Sequence, residues 1–117
     1  MDEQTRNLQR RHLIFYLEVY DDATDKLLGH LVDLTTKGLK LVSKNKIPDG
    51  KTYTMRMTLP EDYFEEKTLR FAATSRWCTN AVNPDFYDTG FQVDNLNKET
   101  IDIIGKLIQA LGFSDNE

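Results

Sequence analysis

The sequence predicts an all-β protein, a six-stranded antiparallel β-barrel followed by one C-terminal α-helix. Three observations support this prediction. Short segments alternate between apolar and polar residues, which is the period of a half-buried strand. Clusters of Asp, Asn, Pro and Gly separate these segments at short intervals, as they do in antiparallel folds. Near the end of the chain the apolar residues recur every three or four positions, which is the period of a helix.

The first three predicted strands follow one another through short polar turns. The first begins at Leu13 and has aromatic or branched side chains at alternate positions up to Val19. The second runs from Leu27 to Leu34 and the third from Gly38 to Ser43. The third strand ends at Ile47–Gly50, where a proline and a glycine two residues later favour a reversal of the chain.

Strands four to six continue the alternating pattern. The fourth places Tyr53 to Leu59 alternately on an apolar and a polar face. In the fifth, the alternation puts Leu69 and Trp77 on the same face. The sixth runs from Tyr87 to Val93 and contains Gly90, which indicates a bend or a close approach of another group to the backbone.

The last segment of the chain predicts an amphipathic helix. Asn97 is a suitable N-terminal cap and Gly112 a suitable end. Gly105 lies in the middle of the helix, where it suggests a close approach of the helix to the sheet. The predicted apolar face consists of Ile101, Ile104, Leu107, Ile108 and Leu111.

Composition limits the classes of protein to which the chain can belong. The 117 residues are 39% hydrophobic and 29% charged, which is typical of one compact domain. An apolar segment of about 18 residues, as a membrane span needs, is absent, and we expect a cytoplasmic protein without membrane insertion. The single cysteine, Cys78, excludes an internal disulfide, and His12 and His30 have no partners at metal-ligand spacing. We therefore expect no metal.

The distribution of charge favours a small anionic ligand. The net charge of −4 argues against DNA or RNA as a partner, because such proteins usually carry a broad basic face. Residues 1–12 lack a buried pattern and predict a flexible arm, whereas residues 13–117 form the single domain. The basic residues of this arm include Arg6, Arg10 and Arg11.

Two motifs flank the first two strands. The arm contains Arg6 and Arg10 with three residues between them, and Asp33, Thr35 and Gly38 lie at the junction of the second and third strands. In these residues the chain resembles the PilZ domain family, whose signatures are RxxxR and [D/N]xSxxG. The resemblance covers nearly the whole chain, including the order of the strands and the terminal helix. It implies a bacterial signalling receptor that binds the second messenger cyclic di-GMP, with no further cofactor.

The resemblance also implies roles for the arginines of the arm. A guanidinium is planar and always charged, so it can bind a phosphate or the O6/N7 edge of guanine and can also stack on a purine. These roles fall to Arg6 and Arg10, with Arg11 as an auxiliary phosphate contact. Ordering of the arm over the ligand would pass the signal to a downstream protein that the sequence does not identify.

The second motif supplies acceptors and shape. The carboxylate of Asp33 could accept hydrogen bonds from guanine N1 and N2, and Thr35 could offer its hydroxyl to a phosphate. The family usually has Ser at the position of Thr35. Gly38 keeps a side chain out of the turn and permits a positive φ.

Two alternatives remain open at the level of the sequence. In a second register the arginine motif begins at Arg10 and its partner is Ile14, which cannot bind an anion. The protein would then be a degenerate PilZ-like adaptor that binds a protein and not the nucleotide.

An enzyme is not expected, since the sequence has no nucleophile paired with a base, no metal cluster and no phosphate loop before a helix.

Overall fold

The computed structural model of the protein describes residues 17–59, 64–65 and 67–111. The arm at 1–12, the predicted start of the first strand at Leu13 and the helix end at Gly112 lie outside the described residues.

Six strands form a closed barrel, and one helix follows them. Around the barrel the order is β1-β2-β3-β6-β5-β4, and each neighbouring pair is antiparallel. This confirms the predicted six-stranded barrel with a C-terminal helix. The elements are β1 (Glu18–Asp21), β2 (Lys26–Leu34), β3 (Gly38–Ser43), β4 (Thr52–Thr58), β5 (Thr68–Asn80), β6 (Tyr87–Val93) and α1 (Lys98–Leu111).

The core lies inside the barrel and under α1. Alternate residues of β4 are buried, as the period of two requires, while the threonines between them are exposed. In the closed barrel each strand pairs with a neighbour on both sides, and apolar side chains from every strand lie inside. The completely buried apolar side chains are Val19, Leu31, Leu34, Leu41, Met55, Met57, Ile104 and Leu107.

A buried serine attaches the turn between β3 and β4 to β5. Gly50 has a φ of +77° in this turn, so the glycine predicted there is needed for the backbone conformation. Its N–H donates to the carbonyl of Ser75 at 2.7 Å. The hydroxyl of Ser75 donates to the carbonyl of Pro48 at 2.6 Å and accepts from the N–H of Lys51 at 3.0 Å. Ser75 thus satisfies polar groups that its own burial would otherwise leave without partners.

The helix begins as predicted but presents a different face to the core. Thr100 N–H donates to the side chain of Asn97 at 2.8 Å, which confirms the cap. Ile101 was expected on the apolar face but is 41% exposed, and Ile103 is buried instead. The predicted close approach at Gly105 is wrong, because a Cβ built there would meet no atom within 4 Å. Among the described residues no helix has the length and apolarity to span a membrane.

A network of ion pairs attaches the turn between β1 and β2 to β4 and β5. Arg56 donates to Asp22 at 3.2 Å and also to Asp25, and Arg70 donates to Asp22 at 3.3 Å. The hydrogen bond to Asp25 is the main cause that raises the pKa of Arg56. The guanidinium also lies 5.2 Å from the centre of the Tyr20 ring, within cation–π range. Both arginines of this network are therefore neutralised by neighbouring carboxylates.

Two glycine substitutions distinguish open space from a crowded backbone. We expect Gly105→Ala to raise the free energy of unfolding by about 0.5–1 kcal/mol, because alanine favours the helix and has room there. Gly29→Ala should lower it by about 1–3 kcal/mol, since its Cβ would lie 2.6 Å from the carbonyl oxygen of Val42. Urea denaturation followed by circular dichroism measures both. A loss of stability in Gly105→Ala would mean that the glycine has a role in packing.

Candidate functional site

A cavity of about 330 Å³ opens on the outer surface of the barrel. Its wall is made of the turn between β2 and β3 together with the outward side of β3, β6 and β5. Three of the predicted site residues line this cavity. They are the residues of the second motif, Asp33, Thr35 and Gly38.

The hydroxyl of Thr35 organises the turn at one end of the cavity. It accepts hydrogen bonds from the N–H groups of Lys37 and Gly38, each at 3.1 Å. The N–H of Thr35 donates to the carbonyl of Gly38 at 2.8 Å, which closes the turn. Such a side chain that bonds to the backbone two and three residues later stabilises a tight turn. The first task of the Thr35 hydroxyl is therefore to hold the shape of this wall.

Asp33 points its carboxylate out of the barrel beside this turn. One carboxylate oxygen accepts a hydrogen bond from the N–H of Leu34 at 2.9 Å, and the residue is exposed. This bond restrains the side chain at the rim of the cavity. A carboxylate has acceptor positions on both oxygens, so the one bond to Leu34 leaves capacity for a ligand.

Gly38 is required by the neighbouring strand and not by its own φ angle. The positive φ expected from the sequence is wrong, because Gly50 is the glycine with positive φ among the described residues. A Cβ on Gly38 would instead lie 2.5 Å from the carbonyl oxygen of Phe91 in β6. The glycine therefore permits β3 and β6 to approach closely at the floor of the cavity.

A β-bulge in β5 turns Trp77 toward the solvent. Ser75 pairs with Phe91 and Trp77 pairs with Gly90, so the residue between them is extra and the alternation is reversed. Trp77 consequently leaves the face that the alternation shares with the buried Leu69, and its side chain is 44% exposed. The indole lies directly on Gly90, where a Cβ would overlap ring atoms. This confirms the close approach predicted at the glycine and places an aromatic ring on the cavity wall.

Comparison with solved structures identifies the architecture. The PilZ domain of YcgR from Escherichia coli, solved with c-di-GMP, superposes with a TM-score of 0.61 at 12% identity over 83% of this chain and 82% of that one. The motility inhibitor MotI/DgrA from Bacillus subtilis gives 0.62 at 13% identity over 82% of this chain. The chain has a PilZ-like fold.

The comparisons by sequence give a different result. No protein-family model matches the chain, and no curated protein matches it significantly. The chain also spans only about half of MotI/DgrA, since the match covers 47% of that protein. At such low identity the likeness establishes the PilZ-like fold and leaves the ligand to be argued from this chain's own residues.

The PilZ-like barrel brings together half of the predicted site. Asp33, Thr35 and Gly38 share one cavity, whereas Arg6, Arg10 and Arg11 lie outside the described residues. The described chain begins at Leu17, whose carbonyl accepts a hydrogen bond from the N–H of Leu31 at 2.9 Å. Leu31 is two residues before Asp33, so the described chain enters the barrel beside the strand that leads to the cavity.

The PilZ-like barrel also supplies cations that the sequence did not predict as site residues. Lys37, Lys40 and Arg76 line the cavity together with Gln92. Lys40 could have been found, because it lies two residues after Gly38 on the outward face of its strand. The alternation places Arg76 on the outward face as well, but no local signal puts it beside the turn after β2, because that depends on the order of strands around the barrel. These cations add positive charge to a wall whose predicted residues, Asp33, Thr35 and Gly38, carry none.

Within the described ranges, no three or more His, Cys, Asp or Glu side chains are grouped so as to hold a metal ion. His30 lies 3.8 Å from Glu18, on the exterior of the barrel and apart from the cavity residues.

Substitutions at two glycines test the geometry of the cavity. We expect Gly90→Ala to displace the indole of Trp77 and change its fluorescence emission, with little loss of stability, because a half-exposed ring can swing aside. Gly38→Ala should lower the free energy of unfolding by about 1–3 kcal/mol, since the carbonyl of Phe91 belongs to a paired strand and cannot move freely. Fluorescence spectra and urea denaturation measure the two effects. Unchanged emission in Gly90→Ala would contradict the contact between ring and glycine.

Proposed function

We propose that this protein is a receptor for cyclic di-GMP, which binds in the cavity between the turn at Asp33 and the indole of Trp77. The observation that carries the proposal is the convergence of Asp33, Thr35 and Gly38 on one cavity of a PilZ-like barrel. The solved YcgR domain with the same fold holds c-di-GMP. A volume of about 330 Å³ lies at the lower end of the usual range for small-molecule sites, and the cavity is open to solvent.

The cavity has groups suited to guanine. The restrained carboxylate of Asp33 accepts hydrogen bonds from the N1 and N2 edge of one base. The exposed face of Trp77 provides a surface on which a base stacks, and stacking of this kind contributes about 1–3 kcal/mol per base. Gly90 leaves room for the indole to lie flat on the strand, so the outer face of the ring is the one that a base meets.

The phosphates of the ligand require cations from the arm. Arg6 and Arg10 bind phosphate or the O6/N7 edge of guanine, and Arg11 is an auxiliary phosphate contact. The length of the chain between Arg10 and Leu17 permits this arrangement. Arg10 is seven residues before Leu17, and an extended chain of that length spans up to about 23 Å. Because Leu17 is bonded to Leu31 near the cavity, the arm reaches the ligand without rearrangement of the barrel.

Signalling in this proposal is an ordering step and not a reaction. No bond is made or broken, and the ordered arm presents a new surface to a partner protein in the cytoplasm. The residues proposed to bind the ligand are Arg6, Arg10, Arg11, Asp33, Thr35, Gly38 and Trp77.

Removal of an arm arginine should weaken binding strongly. We expect Arg10→Ala to raise the Kd for cyclic di-GMP by about 10- to 100-fold, because charge-assisted hydrogen bonds contribute about 1.5–3 kcal/mol. Lys44→Ala is the matched control, since it removes one exposed positive charge outside the cavity. Isothermal titration calorimetry measures each Kd. No heat from the wild-type protein at tens of micromolar ligand would overturn the receptor function and favour the adaptor that does not bind nucleotide.

The choice between the two arginine registers has its own test. If the motif is Arg6 and Arg10, Arg6→Ala weakens binding by a factor similar to that of Arg10→Ala. If the motif is Arg10 and Ile14, Arg6→Ala leaves the Kd unchanged. Asn7→Ala, within the same segment, controls for nonspecific effects on the arm. Calorimetry at two salt concentrations adds a second readout, because loss of a phosphate contact also reduces the salt dependence of binding.

A further inference from the structure

We propose that Gln92, held in place by Asp94, accepts a hydrogen bond from the exocyclic amino group of the guanine that stacks on Trp77. This role rests on the proposed function for the identity of the ligand. It deepens that function because it assigns selectivity for one of the two bases to a side chain of the barrel itself, at the end of β6.

The side chains of Gln92 and Asp94 form a pair on the outer surface of the barrel. The amide nitrogen of Gln92 donates to the two carboxylate oxygens of Asp94, at 3.1 and 3.2 Å. A carboxylate only accepts hydrogen bonds, so the amide must turn its nitrogen toward Asp94 and its oxygen away from it. In the part of the chain that the structure describes, these are the hydrogen bonds of the Gln92 side chain. Its oxygen is thus an oriented acceptor, and Gln92 lines the cavity.

Gln92 lies at the edge of the indole of Trp77. The indole rests on Gly90, which is two residues before Gln92 in β6, so both positions face the outside of the barrel. Two residues of a strand span about 6.6 Å. A base on the outer face of the indole therefore meets the Gln92 side chain with its edge, where the donors and acceptors of a purine lie.

Acceptors are few among the side chains that line the cavity. Three of these side chains are cations, which donate and do not accept: Lys37, Lys40 and Arg76. The hydroxyl of Thr35 accepts from two backbone N–H groups and donates to the carbonyl of Gly38 at 3.3 Å, so its capacity is used within the turn. Asp33 and Gln92 are the side chains of the cavity with acceptor capacity left for a ligand.

The two acceptors are too far apart to serve the same edge of one base. Asp33 belongs to β2 and Gln92 to β6, with β3 between them. Neighbouring strands lie about 4.8 Å apart, so the backbones of the two residues are roughly 10 Å apart or more. A dinucleotide with two guanines can offer a donor edge to each of them. The placement of the acceptors therefore favours guanine at both ends of the ligand.

The exocyclic amino group is what distinguishes guanine at Gln92. Guanine carries this donor at C2, whereas adenine and hypoxanthine have no amino group at that position. A base without the donor would cover the amide oxygen, remove its hydrogen bond to water and give none in return. Gln92 therefore lowers the affinity for such a base relative to guanine.

Two ligands that differ only in this amino group test the contact. Cyclic di-IMP has hypoxanthine in place of both guanines of cyclic di-GMP. Isothermal titration calorimetry with the whole chain of 117 residues should show that the wild type prefers cyclic di-GMP. Gln92→Met keeps the length of the side chain and removes the amide. It should reduce the preference by about 3- to 10-fold, the effect of one neutral hydrogen bond, and the contacts of Asp33 should account for the rest.

Asp94→Ala tests the positioning role of the carboxylate. Without Asp94 the amide of Gln92 can rotate and turn its nitrogen toward the base, so the preference should fall although Gln92 is still present. The loss of a negative charge near the site favours both anionic ligands to the same extent, and the ratio of the two Kd values does not register it. An unchanged ratio in Asp94→Ala would overturn the role of Asp94.

The controls separate this role of Gln92 from the proposed function. Gln109→Met makes the same change at an exposed glutamine of α1 outside the cavity and should leave both Kd values unchanged. If the wild type binds cyclic di-GMP and Gln92→Met keeps the full preference, or weakens both ligands equally, the role of Gln92 is wrong and the receptor function stands. If the wild type binds neither ligand, the receptor function fails, and the role of Gln92 fails with it.

Discussion

The register shift between Ser75 and Trp77 is the constraint on which the cavity depends. On one side of it, Ser75 is buried and its hydroxyl fixes the turn that contains Gly50. On the other side, Trp77 lies outside the barrel on Gly90. One extra residue thus lets a single strand contribute to the core along its first part and to the surface cavity along its last part. The strand β5 therefore contributes both to the closed barrel and to the cavity, and the bulge lies between these two parts of the strand.

The features that could be predicted from the sequence are those that follow a local period or a local hydrogen bond. The alternation in β4 and the cap at Asn97 appear in the structure as predicted, because each depends on neighbouring residues in the chain. The turn of Asp33, Thr35 and Gly38 could also be predicted, since these residues lie within one segment of six residues. The prediction that these three share one site is consistent with the single cavity they line.

The features that could not be predicted arise from contacts between distant segments. The alternation in β5 appears unbroken in the sequence, yet β6 imposes a bulge and so reverses Trp77. The structural reasons predicted for glycine at positions 38 and 105 were wrong. The first is limited by the carbonyl of Phe91, which is far away in sequence, and the second has open space above it. Arg76 was missed for a different reason, because its outward direction follows the alternation but its position beside the turn after β2 depends on the order of the strands.

The hydrogen bond from Leu31 to the carbonyl of Leu17 has a consequence for the strength of binding. It holds Leu17 beside β2, the strand that contains Asp33, and so fixes the point at which the segment with Arg6 and Arg10 joins the barrel. Short tethers give effective concentrations in the millimolar range, on the order of 10⁻³ M. In the proposed function, each arginine therefore needs only a weak intrinsic affinity for the ligand. In the proposed function, changes in the length of the five residues between Arg11 and Leu17 would tune sensitivity to the ligand without altering any group that touches it.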